Sequence, residues 1–178
     1  MMNATKTTAA GFAIAGVAAA GLTVGIVAIV NANAQYIDSL AKTADKLGLT
    51  TEALQLLRYQ GEQSGVSINT MDMALQRMTR RVAEAAQGTG EAKGAIKELG
   101  LSAAELAAMS PDQQFKAIAE AMKGVAAQGD KVRLAMKLFD SEGVALVNTL
   151  VSDLTKVEAR FDSLGVSITR QQAAIVES

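Results

Sequence analysis

The chain has 178 residues, of which 49% are hydrophobic and only 3% aromatic, and it contains no histidine and no cysteine. Their absence excludes disulfides, thiolate metal sites, cysteine nucleophiles and the commonest general base and zinc ligand. The formal net charge of −1 lacks the basic surplus that phosphate binding needs, so no sequence-specific nucleic acid partner is expected. Abundant Ala, Leu, Val and Met with a single proline predict an all-α protein. Because histidine and cysteine are missing, we expect that it is no enzyme and needs no cofactor.

The first long segment of the chain, residues 9–30, carries no charged side chain. As a helix that rises about 1.5 Å per residue it would be about 33 Å long, and a bilayer core is about 30 Å thick. Four glycines spaced four or five residues apart would allow close helix packing. These candidate residues for membrane insertion or helix packing are Gly11, Gly16, Gly21 and Gly25.

Three interpretations of this apolar segment stay open. It is a membrane-inserting helix by its length and lack of charge. It is a signal peptide if the chain is cleaved after the small residues of Ala32-Asn33-Ala34, although the run is long and only Lys6 precedes it. It is a packing helix if it lies inside an oligomer or a tube.

The rest of the chain alternates helical patterns with a repeated break. Each break has a glycine, then an apolar residue, then a hydroxyl that can cap the next helix. The copies are LGLT at 47–50, LGLS at 99–102, LGVS at 164–167 and a weaker SGVS at 64–67. Their spacing is uneven, so they mark helix ends and do not form a solenoid repeat.

Helices are predicted between these breaks over residues 31–47, 51–63, 67–87, 91–99, 132–139 and 143–161, with a further helix from Ser110 to Gly124 or Gly129. The longest regular stripe is Ile68, Met71, Leu75, Met78, Val82 and Ala85. Residues 143–161 are apolar around much of the helix and are expected to be central. We therefore divide the chain into an apolar segment (1–34), a helical body (35–163) and the start of a further, truncated helix (164–178).

Three clusters of polar residues are candidates for chemistry. Arg77, Arg80 and Arg81 could bind phosphate, but a solvated face with arginines paired to Glu84 explains them more simply. Residues 88–94 are rich in glycine but lack the order of a phosphate loop. In the FDSEG sequence at 139–143, a helix-capping turn with Asp140 or Ser141 as the N-cap is favoured over a catalytic pair of Asp140 and Glu142.

Four blocks of this sequence resemble the N-terminal region of tail length tape measure proteins of long-tailed bacteriophages and prophages. They read AKTADKLGLTTEALQ (41–55), SGVSINTMDMALQRMTRRVAEAAQGTGEAKGAIKELGL (64–101), MSPDQQFKAIAEAM (109–122) and RLAMKLFDSEGVALVNTL (133–150). The end of the chain, LGVSITRQQAAIVES (164–178), also resembles the continuation seen in that family. The blocks are long and follow the family order.

The resemblance implies a non-enzymatic structural protein of the virion. Such proteins lie in the lumen of the tail tube and at the tail tip, set tail length, and assist passage of DNA through the host envelope. The implied partners are the tail tube protein, tail tip or baseplate proteins, tail assembly chaperones, further copies of the chain as a trimer or hexamer, and the host inner membrane during ejection.

The length of the chain departs from what a complete tape requires. A single straight helix of 178 residues would extend at most about 267 Å, so the resemblance predicts the N-terminal part of a longer protein or a degraded prophage copy. The alternative function is a membrane-anchored or pore-forming helical module of the bacterial envelope, unrelated to tails.

Overall fold

The computed structural model describes residues 34–169 together with residues 171 and 173. All regular structure in this part of the chain is helical, which confirms the all-α prediction. A 3-10 turn, Asp140–Glu142, joins two of the helices. The α-helices are α1 Ala34–Leu47, α2 Thr51–Gln63, α3 Ile68–Ala86, α4 Ala92–Glu98, α5 Ala103–Ala107, α6 Pro111–Lys123, α7 Gln128–Phe139, α8 Gly143–Val151 and α9 Leu154–Leu164.

The repeated break motif ends one helix and begins the next, as predicted. Gly48 has a φ of +70°, which glycine adopts without a Cβ penalty. Two residues later, the Thr50 hydroxyl accepts a hydrogen bond from the amide of Ala53 at 3.1 Å. At a second copy, Ser102 accepts from the amide of Glu105 at 3.3 Å. Local sequence therefore sets these helix boundaries.

Helix α3 is the centre of the body and packs against α1, α2 and α4 to α8. Its predicted stripe faces this core, with Ile68 half-buried at the start of the helix and the remaining residues of the stripe buried. Those remaining residues are Met71, Leu75, Met78, Val82 and Ala85. A smaller cluster lies between α2, α9 and the segment after α9, where the Tyr59 and Phe161 rings pack with centroids 5.4 Å apart against Val166.

The prediction of one helix over residues 143–161 was wrong, because the chain breaks between α8 and α9. The Ser152 hydroxyl donates to the carbonyl of Thr149 at 2.7 Å, and the Asp153 carboxylate accepts from the amide of Lys156 at 3.2 Å. Such local side-chain bonds compete with the helix and favour a cap instead. The expected central position is correct for α8, where Leu146 and Leu150 are fully buried.

Helices α7 and α8 approach each other most closely at Gly143. A Cβ atom built on Gly143 would lie 2.3 Å from the carbonyl oxygen of Ala135 and 2.7 Å from the amide nitrogen of Met136. These are backbone atoms of α7, which cannot move aside as a flexible side chain can. Helix α7 also contains Gly129, one of the two glycines predicted to end α6. Helix α6 ends at Lys123, with Gly124 as its C-cap.

One ion pair is buried between α2 and α3. The Arg58 guanidinium binds Asp72 through two hydrogen bonds, Nε to Oδ1 at 2.9 Å and Nη2 to Oδ2 at 2.7 Å. The Arg58 side chain is 7% exposed and that of Asp72 is 22% exposed. Burial alone would lower the pKa of Arg58, but the hydrogen bond and charge of Asp72, with Tyr36, outweigh it and raise that pKa.

A buried glutamine fixes the segment after α9 to α2. The Gln55 side-chain amide donates to the carbonyl of Ile168 at 2.9 Å and accepts from the amide of Ile168 at 3.1 Å. Gln55 and Ile168 are both buried. This reciprocal pair satisfies backbone groups that no secondary structure satisfies.

We expect Gln55→Met to destabilise the body by about 1 to 3 kcal/mol, since the side-chain size is kept while both Ile168 backbone groups lose their partner. Urea unfolding measures this free energy. Gln63→Met on the same helix is the control, because Gln63 is exposed, and it should leave the unfolding free energy within about 0.5 kcal/mol of the wild type. Equal effects of the two substitutions would contradict a structural role for the Gln55 pair.

Candidate functional site

The largest concentration of paired charges in the described residues lies where α3 meets the joint between α7 and α8. Arg77, Arg80 and Arg81 are three and four residues apart and share one face of α3. The polypeptide reaches this face again at the 3-10 turn, which carries Asp140 and Glu142. We call these five residues, together with Glu84, the arginine network.

Asp140 is the centre of the arginine network, since all three arginines bind its carboxylate. Arg81 donates to Oδ1 through Nε at 3.0 Å and also through Nη2. Arg80 Nη2 lies 3.0 Å and Arg77 Nη1 lies 3.3 Å from Oδ2. The side chain of Asp140 is 18% exposed, so these bonds are partly shielded from water.

The remaining carboxylates complete the pairing of the arginines. Arg77 Nε lies 2.8 Å from Glu142 Oε2. Glu84 accepts from Arg80 at 2.9 Å and lies 3.5 Å from Arg81. Next to the network, Lys137 of α7 binds Glu91 at 2.9 Å. Four cations and four anions therefore balance each other locally: Arg77, Arg80, Arg81 and Lys137 with Glu84, Glu91, Asp140 and Glu142.

The charges of the network shift the pKa values of its central members. Burial of Asp140 acts to raise its pKa, but the hydrogen bond and charge of Arg81, and the charges of Arg80 and Arg77, outweigh burial and lower it below its usual value. The hydrogen bond to Asp140 in turn raises the pKa of Arg81, against the effect of its burial. Asp140 therefore stays ionised at a lower pH than an aspartate without these partners would.

The arginine network holds two distant parts of the chain together. Each guanidinium already faces a carboxylate, so a phosphate would have to displace Asp140 or Glu142 to bind here. Arginines bind both carboxylates, and Glu142 also accepts a hydrogen bond from the Ser141 hydroxyl. The network joins α3 to the α7–α8 joint across about 60 residues of sequence.

Two sequence interpretations of these residues need correction. The arginine face was predicted to be solvated and paired with Glu84; those pairs exist, but the principal partner is Asp140, and the Arg81 side chain is only 15% exposed. Asp140 or Ser141 was predicted to cap the following helix, whereas Asp140 ends α7 and Ser141 donates to its neighbour Glu142. The only sequence signal for the pairing of the arginines with Asp140 was that a basic helix face and an acidic turn carry opposite charges.

The glycine-rich loop before α4 is a turn around the end of α3. Gly88 and Gly90 have φ values of +80° and +77°. The Lys93 ammonium donates to the carbonyl of Gly88 at 3.2 Å, and Glu84 packs beneath Gly90. The loop follows a helix, so it lacks the preceding strand that a phosphate loop requires.

Two clefts open on the described surface. One of about 250 Å³ lies between α2, α6 and α9, with an apolar floor and an acidic rim. The other, of about 540 Å³, follows α7 beside the arginine network and includes Met136, whose side chain is exposed. Among residues 34–169, 171 and 173, acidic side chains form no group that could hold a metal ion.

The glycines predicted to act in membrane insertion or helix packing, and the apolar segment that carries them, lie outside the described residues. No helix within the described ranges has the length and apolarity needed to cross a bilayer. Comparison with protein-family models, curated proteins and solved structures finds no match to the chain. The described residues form an all-α body in which the arginine network joins α3 to the α7–α8 joint.

Proposed function

We propose that this chain is a structural, non-enzymatic component of a bacteriophage tail, corresponding to the N-terminal region of a tape measure protein. The observation that carries the proposal is the set of four sequence blocks that resemble this family. Three of these blocks, 64–101, 109–122 and 133–150, supply all or most of five helices that contribute to the main core, α3, α4, α6, α7 and α8. The resembling segments thus belong to one packed body.

In this role the chain lies in the tail tube lumen and at the tail tip as a trimer or hexamer. It contacts the tail tube protein, tail tip or baseplate proteins and tail assembly chaperones, and it sets tail length. During ejection the uncharged segment 9–30 enters the host inner membrane and assists the passage of DNA.

The tail role predicts that the chain is part of assembled particles. Tails purified from an induced lysogen that encodes an epitope-tagged full chain should contain it at a few copies per tail, measured by quantitative mass spectrometry. A second expected result is capture of the tail tube protein by the tagged chain in the same lysate. Tails that assemble at normal length without the chain would overturn the proposal.

The membrane role predicts that the uncharged segment controls binding to liposomes. We expect Leu22→Lys with Ile26→Lys, in the full chain, to reduce partitioning into anionic liposomes and dye leakage at least tenfold, since each lysine at a helix centre costs about 2.5 to 3.5 kcal/mol. Ser39→Lys with Gln76→Lys adds the same charge at exposed positions and should partition like the wild type.

These results also distinguish the alternative function, a pore-forming module of the bacterial envelope. The uncharged segment 9–30 favours that alternative as well, because both functions require membrane insertion. Dye leakage by a chain that is absent from purified tails would support the envelope module. A wild-type chain that neither partitions nor leaks dye would contradict the membrane role in both.

A further inference from the structure

The chain bends between α7 and α8 at two consecutive residues, Phe139 and Asp140. Phe139 has φ −123° and ψ 9°, outside the helical region. Asp140 has φ +53° and ψ −139°, and among the described residues it is the only one other than glycine with a positive φ. The residues after it are already helical, with φ and ψ of −71° and −19° at Glu142 and −56° and −37° at Gly143. Helical φ and ψ at both Phe139 and Asp140 would therefore merge α7 and α8 into one helix of about 36 Å.

The conformation of Asp140 is strained, since L residues with a Cβ rarely occupy this region of φ and ψ. The arginine network holds the strained residue in place, because its three arginines reach Asp140 only when the chain is bent. The strain at Asp140 thus favours a straight chain, whereas its ion pairs with the three arginines oppose straightening. We call these ion pairs the latch.

The sequence also supports a straight form across the hinge. Apolar or small residues continue at spacings of three and four from α7 through α8 into α9. They are Ala135, Phe139, Gly143, Leu146, Leu150, Leu154, Val157 and Phe161. A helix that is straight across the α7–α8 joint would keep the residues of this set from Ala135 to Leu150 on one side, where they still require a core to cover them.

That core cannot come from the same chain once the hinge is straight. In the bent form α8 buries Leu146, Val147 and Leu150 almost completely, against α7, α6 and neighbouring helices. Only a second copy offers the same surface to α8. Exchange of identical elements through a strained hinge is the general route to a swapped dimer.

We propose that Asp140 is the hinge of a domain exchange between two copies of the chain. In this exchange, α8, α9 and the segment after α9 of each copy pack onto the body of the other copy. The arginine network is the latch that keeps the free chain monomeric. This exchange goes beyond the proposed tail role and does not depend on it.

A matched pair of substitutions separates strain from charge. Asp140→Ala and Asp140→Gly both remove the latch, but only alanine is strained in the bent form, and alanine also favours the straight helix. Because a swapped dimer contains two hinges, the dimer association constant of Asp140→Ala should exceed that of Asp140→Gly by about a thousandfold or more. Size-exclusion chromatography with light scattering on the full chains measures both constants. Equal constants for the two variants would overturn the proposal.

A cross-linking experiment identifies the exchange itself. Lys116 of α6 lies 2.9 Å from Glu158 of α9, and the chain has no native cysteine. Chains with Lys116→Cys and chains with Glu158→Cys are mixed, unfolded and refolded together at high concentration, then treated with a short bismaleimide. A covalent heterodimer that persists after dilution is the expected result in the Asp140→Ala background. Dimers without this cross-link would show surface association and would refute the exchange.

The wild-type sequence is a second test if Asp140→Ala fails to fold. The same mixed refolding of chains that retain Asp140 should give the cross-linked heterodimer as a minor product. Its yield should rise at least several-fold in high salt, which weakens the latch. A yield that is unaffected by salt would show that the arginine network does not oppose exchange.

Discussion

Gly143→Ala is expected to destabilise the helical body by about 3 kcal/mol, at the upper end of the cost of overpacking a core. The new methyl group would lie 2.3 Å from the carbonyl oxygen of Ala135, well inside van der Waals contact. The obstructing atoms belong to the backbone of α7, so the two helices must separate. Leu146 and Leu150 of α8 are fully buried and would then lose core contacts. The melting temperature should fall by about 10 °C.

Gly129→Ala is the matched control, because it makes the same chemical change on α7 itself. A Cβ at Gly129 meets no atom within 4 Å, and its φ is not positive. Alanine should raise the stability there by about 0.4 to 1 kcal/mol, since it reduces the freedom of the unfolded chain and suits a helix. Thermal unfolding followed by circular dichroism measures both variants. A loss of less than about 1 kcal/mol for Gly143→Ala would show that α7 and α8 separate at little cost.

The contrast between these two glycines shows where sequence reasoning about the fold succeeds and where it fails. Caps such as Thr50 and Ser102 act over three residues, so their chemistry can be read from neighbouring letters. Gly143 looks like any glycine at a helix start, and only the packing of α8 against Ala135 reveals why no side chain fits. The break at Asp153 was missed because the apolar pattern around it continues without interruption.

Only part of the arginine network could be predicted from the sequence, because the rest of it depends on tertiary packing. The shared face of the three arginines and their pairing with Glu84 follow from helical spacing alone. Asp140 is about 60 residues away from Arg80, and its positive φ is imposed by tertiary packing. No local rule predicts an aspartate in that conformation, since glycine is the usual residue there.

Asp72→Ala is expected to cost about 3 kcal/mol, because it leaves the buried guanidinium of Arg58 without its anion. The Arg58 side chain is 7% exposed, so water cannot replace the two lost hydrogen bonds. Arg58→Met should cost less, about 1 to 2 kcal/mol, since the Asp72 side chain is 22% exposed and its carboxylate can be hydrated in the variant. Urea unfolding of each full-length variant gives the free energies.

The double variant Arg58→Met with Asp72→Leu decides what the ion pair contributes. A buried pair offsets its own desolvation only in part, so replacing both charges with apolar groups of similar size should restore the stability to within about 1 kcal/mol of the wild type. The single change Asp72→Ala would then be more harmful than removal of the whole pair. That order of stabilities would show that the cost of Asp72→Ala comes from the buried, unpaired charge of Arg58. If the double variant is instead the least stable of the three, the pair itself stabilises the contact between α2 and α3, beyond satisfying two groups that the fold has buried.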